Sequence, residues 1–144
     1  MKLLYLSDND TTGLAGAILF FVIFVFIQKS NSRLGFYLSS CILALCGGLT
    51  IGFSYNSYGT FNEKMIDTII ANIVFLLGVK ALYHSSKKNL VQGYLIHGAW
   101  DIVHHSFLYG LFDTRTQTPS WYPLFCFVYD FAVAAYYYFD HHRK

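Results

Sequence analysis

The chain has few charged residues, few prolines and few cysteines. Of its 144 residues, 12% are charged, two are proline and three are cysteine. A soluble domain usually has about a quarter of its residues charged, so this composition disfavours a soluble globular protein. Cys41, Cys46 and Cys126 form no CxxC pair and are odd in number, which indicates neither a disulfide framework nor a thiolate zinc site. The net charge of +2, without a basic cluster, indicates no nucleic-acid partner.

Apolar and aromatic residues take the place of the missing charges. They make up 55% and 19% of the chain. A chain this short cannot bury so much apolar surface inside a water-soluble domain, because small domains keep a large exposed fraction. We therefore predict an all-α integral membrane protein, a polytopic helical bundle with residues 1–144 as its single domain and the lipid bilayer as its partner.

Five apolar segments are long enough to be predicted as transmembrane helices, since about 20 residues cross the hydrocarbon core. They lie at about 11–28, 34–53, 65–83, 90–112 and 121–139. The first lacks a small-x-small cleavage site, so we read it as a permanent span. The third is ranked weakest by hydropathy and contains Lys80. Four spans result if this third segment is re-entrant.

The distribution of cations predicts the orientation in the cell membrane. With five spans and the N-terminus outside, most Lys and Arg residues lie on the cytoplasmic side with the C-terminus, as the positive-inside bias requires. Those residues are Lys29, Arg33, Lys80, Lys87, Lys88, Arg143 and Lys144, against Lys2, Lys64 and Arg115 outside.

The fourth segment carries four ionisable residues within one short stretch, His97, Asp101, His104 and His105. On a helix, His97, Asp101 and His104 fall within about 60° of one another, with His105 at the edge of that face. Ionisable groups at membrane depth are costly and persist mainly where they pair, bind an ion or line a polar cavity. This stretch is therefore the first candidate for a functional site.

The fifth segment adds Asp130 to this candidate site. A short loop joins the last two segments, so we expect two adjacent antiparallel helices. A loop centre near Thr116 would place Asp130 level with Val103, close to the middle of the membrane. One stripe of the fifth helix would then face the fourth, formed by Cys126, Asp130, Ala134 and Tyr137.

The leading hypothesis is an enzyme that uses a divalent metal, zinc or iron, on a lipid-like small molecule. Imidazole and carboxylate groups suit such ions, and helical spacings of three or four let two side chains reach one ion. The expected metal ligands are His97, Asp101, His104, His105 and Asp130. The expected catalytic residues are Asp101, Asp130 and His104. The expected substrate-lining residues are Tyr94, Trp100, Cys126 and Asn72.

Other functions fit the same residues. Without a metal, Asp101 and Asp130 could serve as acid and base in an isomerase or cyclase of sterol- or terpene-like lipids. A small proton or cation carrier could use the same groups, although no inverted repeat is seen. Haem is disfavoured because its candidate ligands lie on one helix. A structural subunit and a homo-oligomer also remain open.

Two motifs mark a family resemblance. H-x-x-W-D-x-x-H-H spans His97 to His105, and W-Y-P-x-F-C-x-x-Y-D spans Trp121 to Asp130. Together they resemble a small bacterial membrane-protein family of unknown function, over about a third of the chain. The resemblance implies an integral membrane protein and brings no established activity.

Overall fold

The computed structural model describes residues 7–56, 59–104 and 119–142, without the side chains of His104, His141 and His142. Its described residues form five α-helices and no strand, which confirms the all-α prediction. The helices are α1 (Asp8–Ser30), α2 (Ser32–Tyr55), α3 (Phe61–His84), α4 (Lys87–His104) and α5 (Tyr122–His142). Each corresponds to one predicted segment. Residues 105–112, predicted as the end of the fourth span, lie outside the described residues.

Polar caps set the helix boundaries. Ser7 and Asp10 form a capping box at the start of α1, and Thr60 and Glu63 form another at the start of α3. Such boxes satisfy backbone N–H groups that the helix leaves without partners. Asn31 alone separates α1 from α2 and caps the second helix, its side chain accepting from the backbone N–H of Leu34 at 3.0 Å. The connections between the first four helices are short, so each of these helices runs antiparallel to the next.

The five helices close into a ring in chain order. Each packs against the next, α1 and α5 also pack together, and α2 contacts α4 across the ring. The C-termini of α1, α3 and α5 therefore lie at the same end of the bundle as the N-termini of α2 and α4. We call this end, which holds Asn31 and Ser85, the Asn31 end.

Three helices, α1, α2 and α3, are long and apolar enough to cross a membrane. The ranking of the third segment as the weakest span was wrong, because in the described part of the chain α3 meets this condition whereas α4 and α5 do not. The polar residues of α4 and α5 lower their hydropathy. Large apolar side chains cover the outside of the bundle, including Phe20, Phe26 and Leu45. An apolar surface of this extent fits a lipid environment.

Two adjacent glycines show how closely α2 and α3 approach. A Cβ atom on Gly47 would lie 2.6 Å from the carbonyl oxygen of Ala71 and 2.7 Å from the backbone nitrogen of Phe75. A Cβ atom on Gly48 would meet nothing within 4 Å. Small residues allow such backbone contact between membrane helices. Of these two glycines, only Gly47 lies at the contact between α2 and α3.

This difference gives a matched test of the packing. Gly47→Ala should lower the free energy of unfolding by about 2 kcal/mol, because backbone atoms of α3 must move to admit the methyl group. Gly48→Ala should leave it unchanged or raise it by about 0.5 kcal/mol through helix propensity. Reversible unfolding in detergent measures both, and equal effects would contradict the described packing.

Candidate functional site

His97 lies between two carboxylates in the interior of the bundle. Its Nδ1 is 2.6 Å from Oδ2 of Asp130 on α5 and 3.4 Å from Oδ2 of Asp101, one turn along α4. His97 and Asp130 are each 1% exposed, and Asp101 is also buried. Two carboxylates and one imidazole thus converge in a low-dielectric site, where their electrostatic interactions are stronger than in water.

Cys126 extends this arrangement by one helical turn. It precedes Asp130 by four residues on α5, as Asp101 follows His97 by four residues on α4. Ligand atoms of His97, Asp101 and Cys126 all lie within 4.8 Å of one another. We call His97, Asp101, Cys126 and Asp130 the buried cluster. Each of the two helices contributes two residues to this cluster. His97 on α4 faces Asp130 on α5, and Asp101 lies near Cys126 one turn away.

Gly98 allows α4 and α5 to approach at this point. A Cβ atom there would lie 3.0 Å from the ring of Phe131 and 3.1 Å from Cβ of Asp130. A larger residue would hold the helices apart and lengthen the distance from His97 to Asp130. The glycine next to the histidine is therefore part of what positions the site.

The hydrogen bond to Asp130 determines what the histidine can do. When Asp130 is ionised its carboxylate accepts this bond, so Nδ1 carries a proton, and in the neutral form of the ring Nε2 then presents a lone pair. Nε2 is buried and has no hydrogen-bond partner among the described residues. A buried polar atom without a partner is costly. This atom can accept a proton or bind a metal ion.

Aromatic residues surround the buried cluster on the Asn31 side. Tyr94, one turn before His97, is fully buried, and its hydroxyl donates to the carbonyl oxygen of Ser39 at 2.9 Å. The ring of Tyr129 lies 6.3 Å from that of Tyr94, centroid to centroid. Tyr94, predicted to line a substrate site, has its hydroxyl engaged by α2 and packs as core beside the cluster.

The level of Asp130 differs from the prediction. It meets His97, whereas Val103 lies nearly two turns further along α4. The midpoint of a loop does not determine the register of two packed helices, because side-chain contacts and close approaches such as the one at Gly98 do. The predicted stripe itself faces inward, since Cys126, Asp130, Ala134 and Tyr137 are all buried.

Two further candidates form hydrogen bonds with residues outside the cluster. Asn72, predicted to line the site, is exposed, and its side chain donates to the carbonyl oxygen of Thr68 at 2.7 Å. It lies on the outer face of α3. The indole N–H of Trp100 donates to Oδ1 of Asp67 on α3 at 3.1 Å. His104 ends α4 without a described side chain, and His105 lies outside the described residues.

Asp67 is a buried polar residue that the sequence analysis did not include among the site candidates. It lies on α3 and is only 3% exposed. A carboxylate in an apolar segment was a usable signal. Its partner could not be foreseen, because the contact with Trp100 joins α3 to α4 and depends on how these helices are rotated.

Comparisons with known proteins give a family and no activity. A family model described as a family of unknown function (DUF6010) matches residues 10–143. This match covers nearly the whole chain, and it agrees with the resemblance to an uncharacterised family. Searches of curated proteins and of solved structures each found no match.

The contact between His97 and Asp130 can be tested by a double-mutant cycle. Asp130→Ala and His97→Ala should each lower the free energy of unfolding by about 3 kcal/mol, because each leaves a buried polar partner behind. The double variant should cost at least about 1 kcal/mol less than the sum, since neither partner remains.

The control for this cycle is Asp140→Ala on the same helix. Asp140 pairs with Lys87 at 2.5 Å, but both side chains are partly exposed, and exposed pairs contribute about 1 kcal/mol or less. Additive costs for His97→Ala and Asp130→Ala would show that the two side chains do not interact.

Proposed function

Because the chain belongs to the DUF6010 family, whose function is unknown, we propose a function from the site itself: a membrane-embedded, metal-dependent enzyme that acts on a lipid-like substrate at the buried cluster. The observation that carries this proposal is His97, held by Asp130 through one ring nitrogen and presenting the other without a described partner. Histidines that bind metals or transfer protons are oriented by such a hydrogen bond.

The metal hypothesis draws on the donor set. Imidazole, carboxylate and thiolate from His97, Asp101 and Cys126 are ligands that zinc and iron accept, and their ligand atoms are already within 4.8 Å of one another. Asp130 would then orient His97 without binding the ion, as carboxylates next to metal-bound histidines do. The predicted ligand set thereby changes, with Cys126 as a ligand. His104 and His105 remain candidates for a further position.

A bound divalent ion would polarise a substrate oxygen or supply a hydroxide. The protein would contribute the orientation of His97 by Asp130 and the exclusion of water by the surrounding core. Asp101, next to His97 at the other level of the cluster, would hold the ion together with that histidine.

The lipid-like substrate follows from the surroundings of the cluster. Phe131 lies against Gly98 beside Asp130 and is itself partly exposed on the outside of α5. A hydrophobic substrate suits this apolar side of the cluster, whereas a strongly polar substrate would lose its hydration there.

We further propose that all five helices span the membrane, with the N-terminus outside and the C-terminus in the cytoplasm. The closed ring makes α4 and α5 neighbours of three apolar helices, which supports five spans. Lys29, Arg33, Lys87 and Lys88 lie at the Asn31 end. The positive-inside bias would place that end in the cytoplasm.

Metal analysis of the detergent-purified chain tests the proposal. We expect one zinc or iron ion per chain after reconstitution. His97→Ala, Asp101→Asn and Cys126→Ser should each remove it, whereas Asp130→Asn should weaken binding about tenfold or more. Cobalt substitution adds a specific signature, since a thiolate ligand gives a charge-transfer band that Cys126→Ser should abolish.

Cys41→Ser is the matched control, because Cys41 is exposed on α2. It should keep both the ion and the cobalt band. Circular dichroism and gel filtration should show that each variant is folded. A wild-type chain without stoichiometric metal after reconstitution, or a metal content indifferent to all three ligand substitutions, would refute the metal proposal.

A metal-free acid–base enzyme is the second candidate, favoured by the same orientation of His97. Asp130 accepts from Nδ1, so Nε2 could take a proton from a lipid-like substrate and Asp101 could return one. This candidate would stand if the chain bound no metal and if Asp130→Asn and His97→Ala, both folded, lost conversion of a substrate that wild type converts.

A further inference from the structure

A separate polar cavity lies at the Asn31 end of the bundle, away from the buried cluster. Its volume is about 400 Å³, and it is open on one side. Arg33, Lys87, Ser32 and Ser85 contribute to its wall, together with Gln28 and Tyr137. The cavity is therefore lined by residues of α1, α2, α4 and α5 and of the connection between α3 and α4, at one end of the apolar bundle.

The cationic groups of this cavity are not equally engaged. Nζ of Lys87 lies 2.5 Å from Oδ2 of Asp140, so each of these charges offsets the other. Arg33 is exposed and makes no ion pair within the described ranges 7–56, 59–104 and 119–142. The cavity therefore has one uncompensated positive charge, on the side chain best suited to bind phosphate with two parallel hydrogen bonds.

Two helix N-termini add to this positive potential. The α2 helix begins at Ser32 and α4 begins at Lys87, and both residues line the cavity. Backbone N–H groups at a helix N-terminus carry partial positive charge and favour anions. The hydroxyl group of Ser32 can donate to the same ligand.

Buried polar side chains joined by hydrogen bonds form the inner wall of the cavity. Gln28 is 6% exposed, and its side-chain amide donates to the hydroxyl group of Tyr137. That hydroxyl group donates to Oγ of Ser39 at 2.9 Å, and Ser39 donates to the carbonyl oxygen of Gly35 at 2.8 Å. This chain of hydrogen bonds holds the cavity wall in place across α1, α2 and α5.

We propose that this cavity binds the phosphate headgroup of an anionic phospholipid, with Arg33 as its principal ligand. Phe36 and Tyr37 also line the cavity and continue onto the apolar surface of α2, where acyl chains would lie. A volume of a few hundred Å³ suits a small headgroup. Basic pockets between membrane helices bind such headgroups. The site goes beyond the proposed enzyme function and does not depend on it.

The test measures binding of short-chain phosphatidylglycerol to the detergent-purified full chain by native mass spectrometry and thermal shift. Short-chain phosphatidylcholine and inorganic phosphate are the comparison ligands. Wild type should bind phosphatidylglycerol at least tenfold more tightly than either. Arg33→Gln should weaken that binding about tenfold, the loss of one charge-assisted contact. Lys64→Gln at the opposite end should not change it.

Asp140→Asn gives a second test of opposite sign. It releases Lys87 from its partner and removes a negative charge from the cavity, so phosphatidylglycerol should bind several-fold more tightly. This variant keeps the proposal testable if Arg33→Gln fails to fold. Equal binding of the two lipids, inorganic phosphate binding as tightly as phosphatidylglycerol, or no response to both cavity variants would overturn the proposal. None of these outcomes depends on metal at the buried cluster.

Discussion

The contact between His97 and Asp130 is the interaction on which the rest of the site depends. It joins α4 to α5 at 2.6 Å in a position where neither group meets water, because each is 1% exposed. Polar groups buried this deeply need a well-aligned hydrogen bond to each other, and this requirement fixes the register of α4 against α5. Gly98 permits the approach, and Cys126 reaches the level of Asp101 as a consequence.

Specific hydrogen bonds hold the other helices around this pair. Trp100 ties α4 to Asp67 of α3, and Tyr94 ties α4 to the backbone of Ser39 on α2. In a bilayer, apolar helices gain little from burying apolar surface against each other, so packing and interhelical hydrogen bonds define their arrangement. The helix that carries His97 is thus fixed from three sides, by α2, α3 and α5. Such rigidity is what a site with defined geometry requires.

Sequence reasoning predicted the helices well and the contacts of the site in part. Apolar runs and short polar turns located all five helices, because segment length and hydropathy are local properties. The inward stripe through Cys126 and Asp130 followed from the helical period. The pairing of Asp130 with His97 did not, since it depends on the register between two helices. The outward position of Asn72 and the burial of Asp67 depend on helix rotation, which hydropathy does not determine for helices that are apolar all round.

The described polar side chains differ in whether they keep a polar atom without a hydrogen-bond partner. The hydroxyl group of Tyr94 is held by Ser39, and the indole N–H of Trp100 is held by Asp67. These side chains have used their donor groups, and a packing role accounts for those contacts. His97 instead keeps Nε2 without a partner in the part of the chain that the structure describes, and its ring lies beside a carboxylate and a thiol. Helix packing gains nothing from an unsatisfied ring nitrogen, whereas metal binding and proton transfer both need one. This difference separates the buried cluster from the structural polar contacts around it.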